Sequence, residues 1–353
     1  MQRPTPRGFT EDEFEYYSRQ LVLKDIGIEG QRKLKRSTVC VVGAGGLGCP
    51  ILTQLASMGV GTLRVVDRDV VEMSNLQRQH LYGVNVLGVP KVEAAEERLR
   101  QLNPFIDVEA VPLSVTPGNA EKIISGADVV VDAVDSMNTR YALNRACQRL
   151  GVPFVHGGVI MQVGNASTIL PGETACLECF QGNVDDTDLP SCAVQGVHPS
   201  AISVIASIQV SETVKILLGQ HPALADTLLF VDLSDLTFEK IQVSRVKSCP
   251  VCGDEPENKP APLRDGVMEE LCGREGRRVF VFSPDEDQQL DLGKVNQRIQ
   301  DQGYEVTVRS RLGTTFTGRG VRGSVLSSGV TIIEGLEDSG KATLIRDALT
   351  RER

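Results

Sequence analysis

Apolar residues along this chain fall alternately into short continuous runs and spaced stripes. Residues 11–36 space Leu21, Ile26, Ile28 and Leu34 among charges, a helical periodicity that predicts short helices ahead of a first domain. The sharpest local signal follows. Thr38-Val39-Cys40-Val41-Val42 is a β-type run, Gly43-Ala44-Gly45-Gly46-Leu47-Gly48 is a glycine cluster, and a helical stretch continues to about Met58. Residues 62–66 predict a second strand that ends in Asp67; a helix is expected after Pro90, with strands near Val108 and over residues 128–134. Strands alternating with helices predict an α/β fold: a Rossmann-like, doubly wound and mainly parallel sheet with helices on both faces.

Residues 152–170 are strand-rich. A polar segment over 181–195 then reads as a loop able to move, an apolar helix follows over about 199–218, and strands are expected near 228–231 and 237–243. The Pro-rich residues 254–264 read as a linker. Beyond it, strands at 279–282, 304–309 and 329–334 and helices at 293–302 and 340–351 predict a small α+β domain. The expected organisation is therefore N-terminal helices over 1–36, a main domain over 37–253 with a crossover loop at about 180–198, a linker over 254–264 and a small domain over 265–353.

Composition narrows the function. With 353 residues the chain can bury two cores, and with a formal charge of -9 and no block of Lys or Arg it is poorly suited to nucleic acid as its main partner. A soluble protein substrate fits that surface. No run reaches the roughly 18 apolar residues of a membrane span, and the first twenty residues lack a signal peptide's apolar region, so the expected location is cytoplasmic. Four of the nine Cys form two CxxC pairs, which points to a metal in a reducing compartment and not to disulfides.

Gly43, Gly45 and Gly48 satisfy G-x-G-x-x-G, with Gly46 beside them, and the flanking strand and helix make this a phosphate turn. Asp67 ends the next strand, where a carboxylate can bond a ribose hydroxyl. To this point a dehydrogenase fits equally well. Asn75, Arg78, Lys91 and Asp135 then add an amide, two cations and an acid to the same crevice, parts suited to phosphoryl or adenylyl chemistry, with Asp135 as a Mg²⁺ partner. Cys176, Cys179, Cys249 and Cys252 would make a closed tetrahedral Zn²⁺ site; a redox pair is the alternative. Cys192 stands alone in a polar loop, where it is either a reactive thiol or a bystander. Cys40, Cys49 and Cys147 read as core, and His156 and His198 as structural, with His198 a neighbour able to tune Cys192.

Taken together, Ser18-Arg19-Gln20, GAGGLG at 43–48, Asp67, SNLQRQ at 74–79, Lys91, Asp135, both CxxC pairs, Ser191-Cys192 and Gly196-Val197 resemble the MoeB/ThiF/Uba4 group of E1-like activating enzymes over about residues 10–255. The resemblance implies that Asp67 contacts ribose, that Asn75, Arg78 and Lys91 contact phosphates, and that Asp135 serves Mg²⁺ and adenylation. It also implies that Arg19 reaches into a partner subunit's site in a homodimer. The implied substrates are ATP and the C-terminal Gly-Gly of a ubiquitin-like or sulfur-carrier protein, which becomes an acyl adenylate with release of pyrophosphate. Cys192 matches the family cysteine that forms a thioester or acyl-disulfide. Two outcomes remain open: thioester transfer toward a conjugating enzyme, or sulfur delivery for molybdopterin, thiamin or tRNA thiolation. The chain departs from members with a rhodanese-like sulfurtransferase domain. Cys272 precedes the last region's first clear strand and no Cys follows it, so an external sulfurtransferase is expected, and the small domain is read as a recruiter of modifier or conjugating enzyme. A dehydrogenase or an inert nucleotide-binding scaffold is the reading from another class.

Overall fold

The computed structural model describes residues 8–186, 195–256, 258–272, 278–284 and 288–351. Helices α1 (Glu11–Tyr16) and α2 (Gly27–Arg36) lead into an eight-stranded sheet. Its strands are β1 (Thr38–Val42), β2 (Thr62–Val66), β3 (Asp107–Val111), β4 (Val129–Asp132), β5 (Phe154–Ile160), β6 (Val163–Ile169), β7 (Thr227–Asp232) and β8 (Thr237–Gln242), in the order β3-β2-β1-β4-β5-β6-β7-β8. The first five strands in that order pair in parallel; β6, β7 and β8 continue the sheet antiparallel. The expected mainly parallel sheet is thus a mixed one, parallel over its first five strands in that order. Only Met161 and Gln162 separate β5 from β6, and Met161 takes a positive φ of 51°, so the chain turns as a hairpin with no room for a crossover helix.

The sheet is doubly wound. Helices α2, α3 (Gly48–Met58), α4 (Lys91–Leu102) and α8 (Pro199–Leu218) cover one face, while α5 (Ala120–Ile124), α6 (Met137–Leu150) and α7 (Leu177–Phe180) cover the other. β1 shows why its sequence is apolar throughout: Val39 and Val41 enter the first core, Cys40 and Val42 the second. By length and composition α8 would pass as a membrane span, but 61% of the qualifying window is buried inside the protein. Its Ile202, Ile205 and Ala206 belong to the first core. The apolar pattern did not mark α6, because its buried side includes Asn144 and Arg145, which meet Glu178 at 3.0 and 2.5 Å.

After residue 254 the described residues form no helix or strand until β9 (Met268–Cys272). Then come β10 (Arg278–Phe282), α9 (Leu292–Asp301), β11 (Glu305–Arg309), β12 (Gly313–Gly318), β13 (Val321–Leu326), β14 (Thr331–Glu334) and α10 (Ser339–Thr350). The six strands form an antiparallel sheet, β11-β12-β13-β14-β10-β9. Phe280, Phe282, Phe316 and Ile333 pack under α9 and α10 through Val295, Ile299, Ala342 and Leu349. The other face, with Val281, Leu326 and Val330, packs against Val70 of the first domain. Cys272 therefore ends the region's first strand and does not precede it. β12 and β13 escape the sequence pattern because they are rich in Thr, Ser and Gly; they join through Arg319 and Gly320, both at positive φ, in a two-residue hairpin.

Candidate active site

The glycine turn divides its labour. Gly43 has φ 97°, and a Cβ there would fall 2.3 Å from the Ala133 carbonyl oxygen; at Gly48 it would fall 2.0 Å from the Gly43 oxygen. These two positions are glycine so that β1, the turn and α3 can close on β4. Gly45 and Gly46 face side chains instead. A Cβ at Gly45 would lie 3.7 Å from Gln79 Nε2, and one at Gly46 would lie 3.0 Å from Ile202 and 3.8 Å from Arg78 Cδ. The 74–79 segment is thus folded against the glycine turn.

Asp67 follows β2 and accepts from the Ala44 and Asp69 backbone N–H groups, each at 2.7 Å. Lys91 opens α4; it is 5% exposed and its Nζ donates to Asp69 Oδ2 at 2.7 Å. Burial alone would lower the affinity of this ammonium for its proton, but Asp67, Asp69 and Asp135 outweigh burial and hold its pKa above the ordinary range. Burial raises the Asp67 pKa, opposed by Lys91. Lys91 therefore pairs directly with Asp69, and Asp67 and Asp135 add negative charge around its ammonium.

Asp135 does not end a strand as expected. β4 stops at Asp132, and Asp135 stands exposed in the following loop, accepting no hydrogen bond from the described residues. Asp132 is the buried acid of the pair: its Oδ2 takes Arg140 Nε at 2.7 Å and His156 Nδ1 at 2.8 Å. Arg140 cancels its charge, which lets it lie at full burial and leaves Asp135 as the acid open to the crevice. Burial would raise the Asp132 pKa, but Arg140 and His156 hold it below the ordinary value.

Asn75 is buried, its Oδ1 accepting the Glu72 N–H at 3.0 Å, and Arg78 is half-buried, Nη1 donating to the Ser74 carbonyl at 3.1 Å. Gln79 is 3% exposed, and its Oε1 has no partner among the described residues although it lies beside the glycine turn. An orphaned buried acceptor there is a place for a ligand's donor. Arg19 lies exposed on the turn after α1. The sulfur atoms of Cys176, Cys179, Cys249 and Cys252 lie within 4.8 Å of one another, with separations of 3.9, 3.7 and 3.3 Å along three edges.

A family model described as the ThiF family matches residues 17–251, which include this whole crevice and three of those four cysteines, Cys252 lying just beyond the match. The chain belongs to the ThiF family. It is 44% identical over 239 residues to the SAMP-activating enzyme E1 of Haloferax volcanii, covering 67% of this chain and 88% of that protein. It is 43% identical over 257 residues to the sulfur carrier protein adenylyltransferase of Thermus thermophilus, covering 71% of this chain and 95% of that protein. A crystal structure of E. coli MccB with succinimide shares the fold, with a TM-score of 0.61 and 23% identity over 67% of this chain and 74% of the other.

In this ThiF-family chain Cys192 lies outside the described residues. His198, the residue considered as its tuner, is the exposed N-cap of α8 and accepts the Ser200 N–H at 3.2 Å. Cys40, Cys49 and Cys147 are buried, and burial pushes the first two thiols up to about 12. The pattern gave no place to Asp69, Asp132, Arg140 or Gln209. Asp69 was readable as the second acid of an Asp-x-Asp at a strand end, where alternation returns both to one side. Gln209 was not readable: its Nε2 bonds the Asp132 carbonyl at 2.7 Å from 77 residues away, and no local pattern announces that.

Proposed function

We propose that this chain uses Mg-ATP to adenylate the C-terminal glycine of a small ubiquitin-like or sulfur-carrier protein. One observation carries the proposal: Asp67 and the buried Lys91–Asp69 ion pair stand together beside a glycine turn that opens a helix. The relatives' names agree with it, one being a SAMP-activating enzyme and the other a sulfur carrier protein adenylyltransferase. Asp67 receives the ribose, and the turn at Gly45 and Gly46 receives the phosphates at the α3 N-terminus. Lys91, Arg78 and Asn75 hold the triphosphate, the cations offsetting charge that grows as pyrophosphate departs. A carrier carboxylate oxygen attacks the α-phosphorus, and the bond to the bridging oxygen of pyrophosphate breaks. Lys91 stays protonated throughout, since its three carboxylate neighbours hold it so.

The donor set suits Mg²⁺, because Asp135 is an exposed carboxylate oxygen ligand with no partner among the described residues. Bound there, Mg²⁺ supplies charge neutralisation to the phosphates. The four cysteines suit Zn²⁺, since an ion about 2.3 Å from each sulfur sets edges of about 3.8 Å, close to the separations of 3.3 to 3.9 Å here. Four ligands leave no open position, so that site staples α7 to the segment after β8.

Cys192 then takes the acyl group: its thiolate attacks the adenylate carbonyl, a C–S bond forms, the anhydride C–O bond breaks and AMP leaves. The thiol proton goes to solvent. Arg19 acts across a homodimer, and the reducing cytoplasm suits a chain whose seven described cysteines are all free. The test is ATP–pyrophosphate exchange and intact mass with small proteins ending in Gly-Gly. A thiol-labile adduct that vanishes in Cys192→Ala, with exchange retained, supports the whole sequence. Exchange and AMP formation without an adduct assign the sulfur-transfer branch with an external donor, and no exchange with any carrier overturns adenylation.

A further inference from the structure

Arg68 stands between Asp67 and Asp69 but turns away from the crevice. Alternation beyond β2 sends its two acidic neighbours toward the glycine turn and Lys91, and sends the guanidinium toward the small domain. There Nη1 and Nη2 donate to Oε1 and Oε2 of Glu269 on β9, both at 2.9 Å, with the two side chains only 22% and 29% exposed. A two-point fork of this kind holds both planar groups in one orientation. Gly266, at φ 74°, brings β9 close: a Cβ there would lie 3.2 Å from Thr116 and 3.4 Å from Glu269 Oε1.

The small domain has other anchors. Glu93 accepts from the Arg311 and Leu312 N–H groups at 3.0 and 2.7 Å, Thr315 Oγ1 donates to the Gly88 carbonyl at 2.7 Å, and Ser283 bonds Ser114 at 2.7 Å. Seating the domain therefore does not need Arg68. The strongest charges acting on Arg68, besides Glu269, are Asp69 and Asp135. Burial would lower its pKa, but Glu269, Asp69 and Asp135 together raise it. Released from Glu269, a mobile guanidinium would find Asp69 and Asp135 as its next partners.

We infer that Glu269 is a positioning residue for the adenylation site: by clamping Arg68 through its two-point fork it keeps a cation off Asp135, which stays open to magnesium. The small domain is then part of the nucleotide site's charge arrangement as well as a neighbour of it. This rests on the adenylation reading above.

The experiment compares the full chain with Glu269→Gln, Arg68→Ala and the double variant. ATP affinity is read by calorimetry with and without Mg²⁺, exchange by Mg²⁺ titration, and folding by melting temperature. In Glu269→Gln the Mg²⁺ concentration for half-maximal exchange should rise about three- to tenfold, the scale of one partly buried charge contact. The gain in ATP affinity on adding Mg²⁺ should shrink by the same factor, with the rate at saturating Mg²⁺ within about twofold of the parent. Arg68→Ala and the double variant should keep the parent's Mg²⁺ dependence. Unchanged Mg²⁺ dependence in a folded Glu269→Gln, or a shift that persists in the double variant, overturns the inference. A parent chain that neither binds ATP nor exchanges pyrophosphate overturns the adenylation reading, and the inference with it.

Discussion

The crevice beside the glycine turn and the four-cysteine cluster both collect reactive side chains at the ends of regular elements, yet they are built in opposite ways. The cysteines turn inward, three of the four buried, each within reach of the others. The crevice keeps groups in reserve: Asp135 accepts nothing from the described residues, Gln79 Oε1 has no partner, and Lys91 faces more negative charge than one ammonium cancels. A closed set resists exchange with solvent and serves stability, while an open set holds unspent affinity for a ligand. Within the crevice the same contrast recurs between Asp132, fully partnered, and Asp135 three residues on.

The largest effect that would break this comparison lies at the closed end. If the four cysteines hold zinc as proposed, Cys249→Ser should bind none and lose about 4 kcal/mol of stability, read by metal content and denaturant unfolding; metal loss with an unchanged midpoint would make the cluster no staple. Next comes Asp135→Ala, which should cost about 10²–10³-fold in ATP–pyrophosphate exchange while shifting stability by no more than about 0.5 kcal/mol, as for other exposed positions. Exchange at the parent rate would remove Asp135 from the chemistry. The glycine turn sharpens the contrast within five residues. Gly48→Ala drives a Cβ into backbone at 2.0 Å and should destabilise by about 2–3 kcal/mol. Gly45→Ala meets only ordinary contact at 3.7 Å, so its stability should hold while calorimetry shows weaker ATP binding.

The smallest effect is a pH slope. Burial keeps the His156 pKa below its ordinary value, with Arg140 repelling the charged ring and Asp132 and Asn165 only partly compensating. The unfolded chain then takes up its proton first, at about pH 6.5, so stability is full above that pH and falls as pH drops from there toward the folded value. His156→Gln should flatten that part of a melting-temperature profile. An unchanged slope would assign it to other groups.

How far the sequence reached depended on the range of the forces involved. For β1, α3, β2 and α8 the expected bounds agree with Thr38–Val42, Gly48–Met58, Thr62–Val66 and Pro199–Leu218, because apolar runs and glycine punctuation act locally. The glycine turn, Asp67, Lys91 and the paired cysteines were legible for the same reason. α6 was not, since a helix that buries Asn144 and Arg145 shows no apolar stripe until Glu178 is known to face it. Nor were β12 and β13, whose Thr and Ser residues read as loop until the sheet supplies neighbours to satisfy them.

What the sequence by itself determined is the strand, glycine turn and helix, the two-sided burial of β1 and the supply of acids, cations and thiols. Tertiary structure alone decided which of those groups are open. Asp132 and Asp135 differ little as letters, but Arg140 and His156 neutralise the first and nothing described neutralises the second. Arg68 sits between two crevice acids in sequence and is taken out of the crevice by Glu269, 201 residues away. The physical reason is common to both: a charge's free energy depends on the partners and the dielectric around it, and those are set by the packing of distant segments.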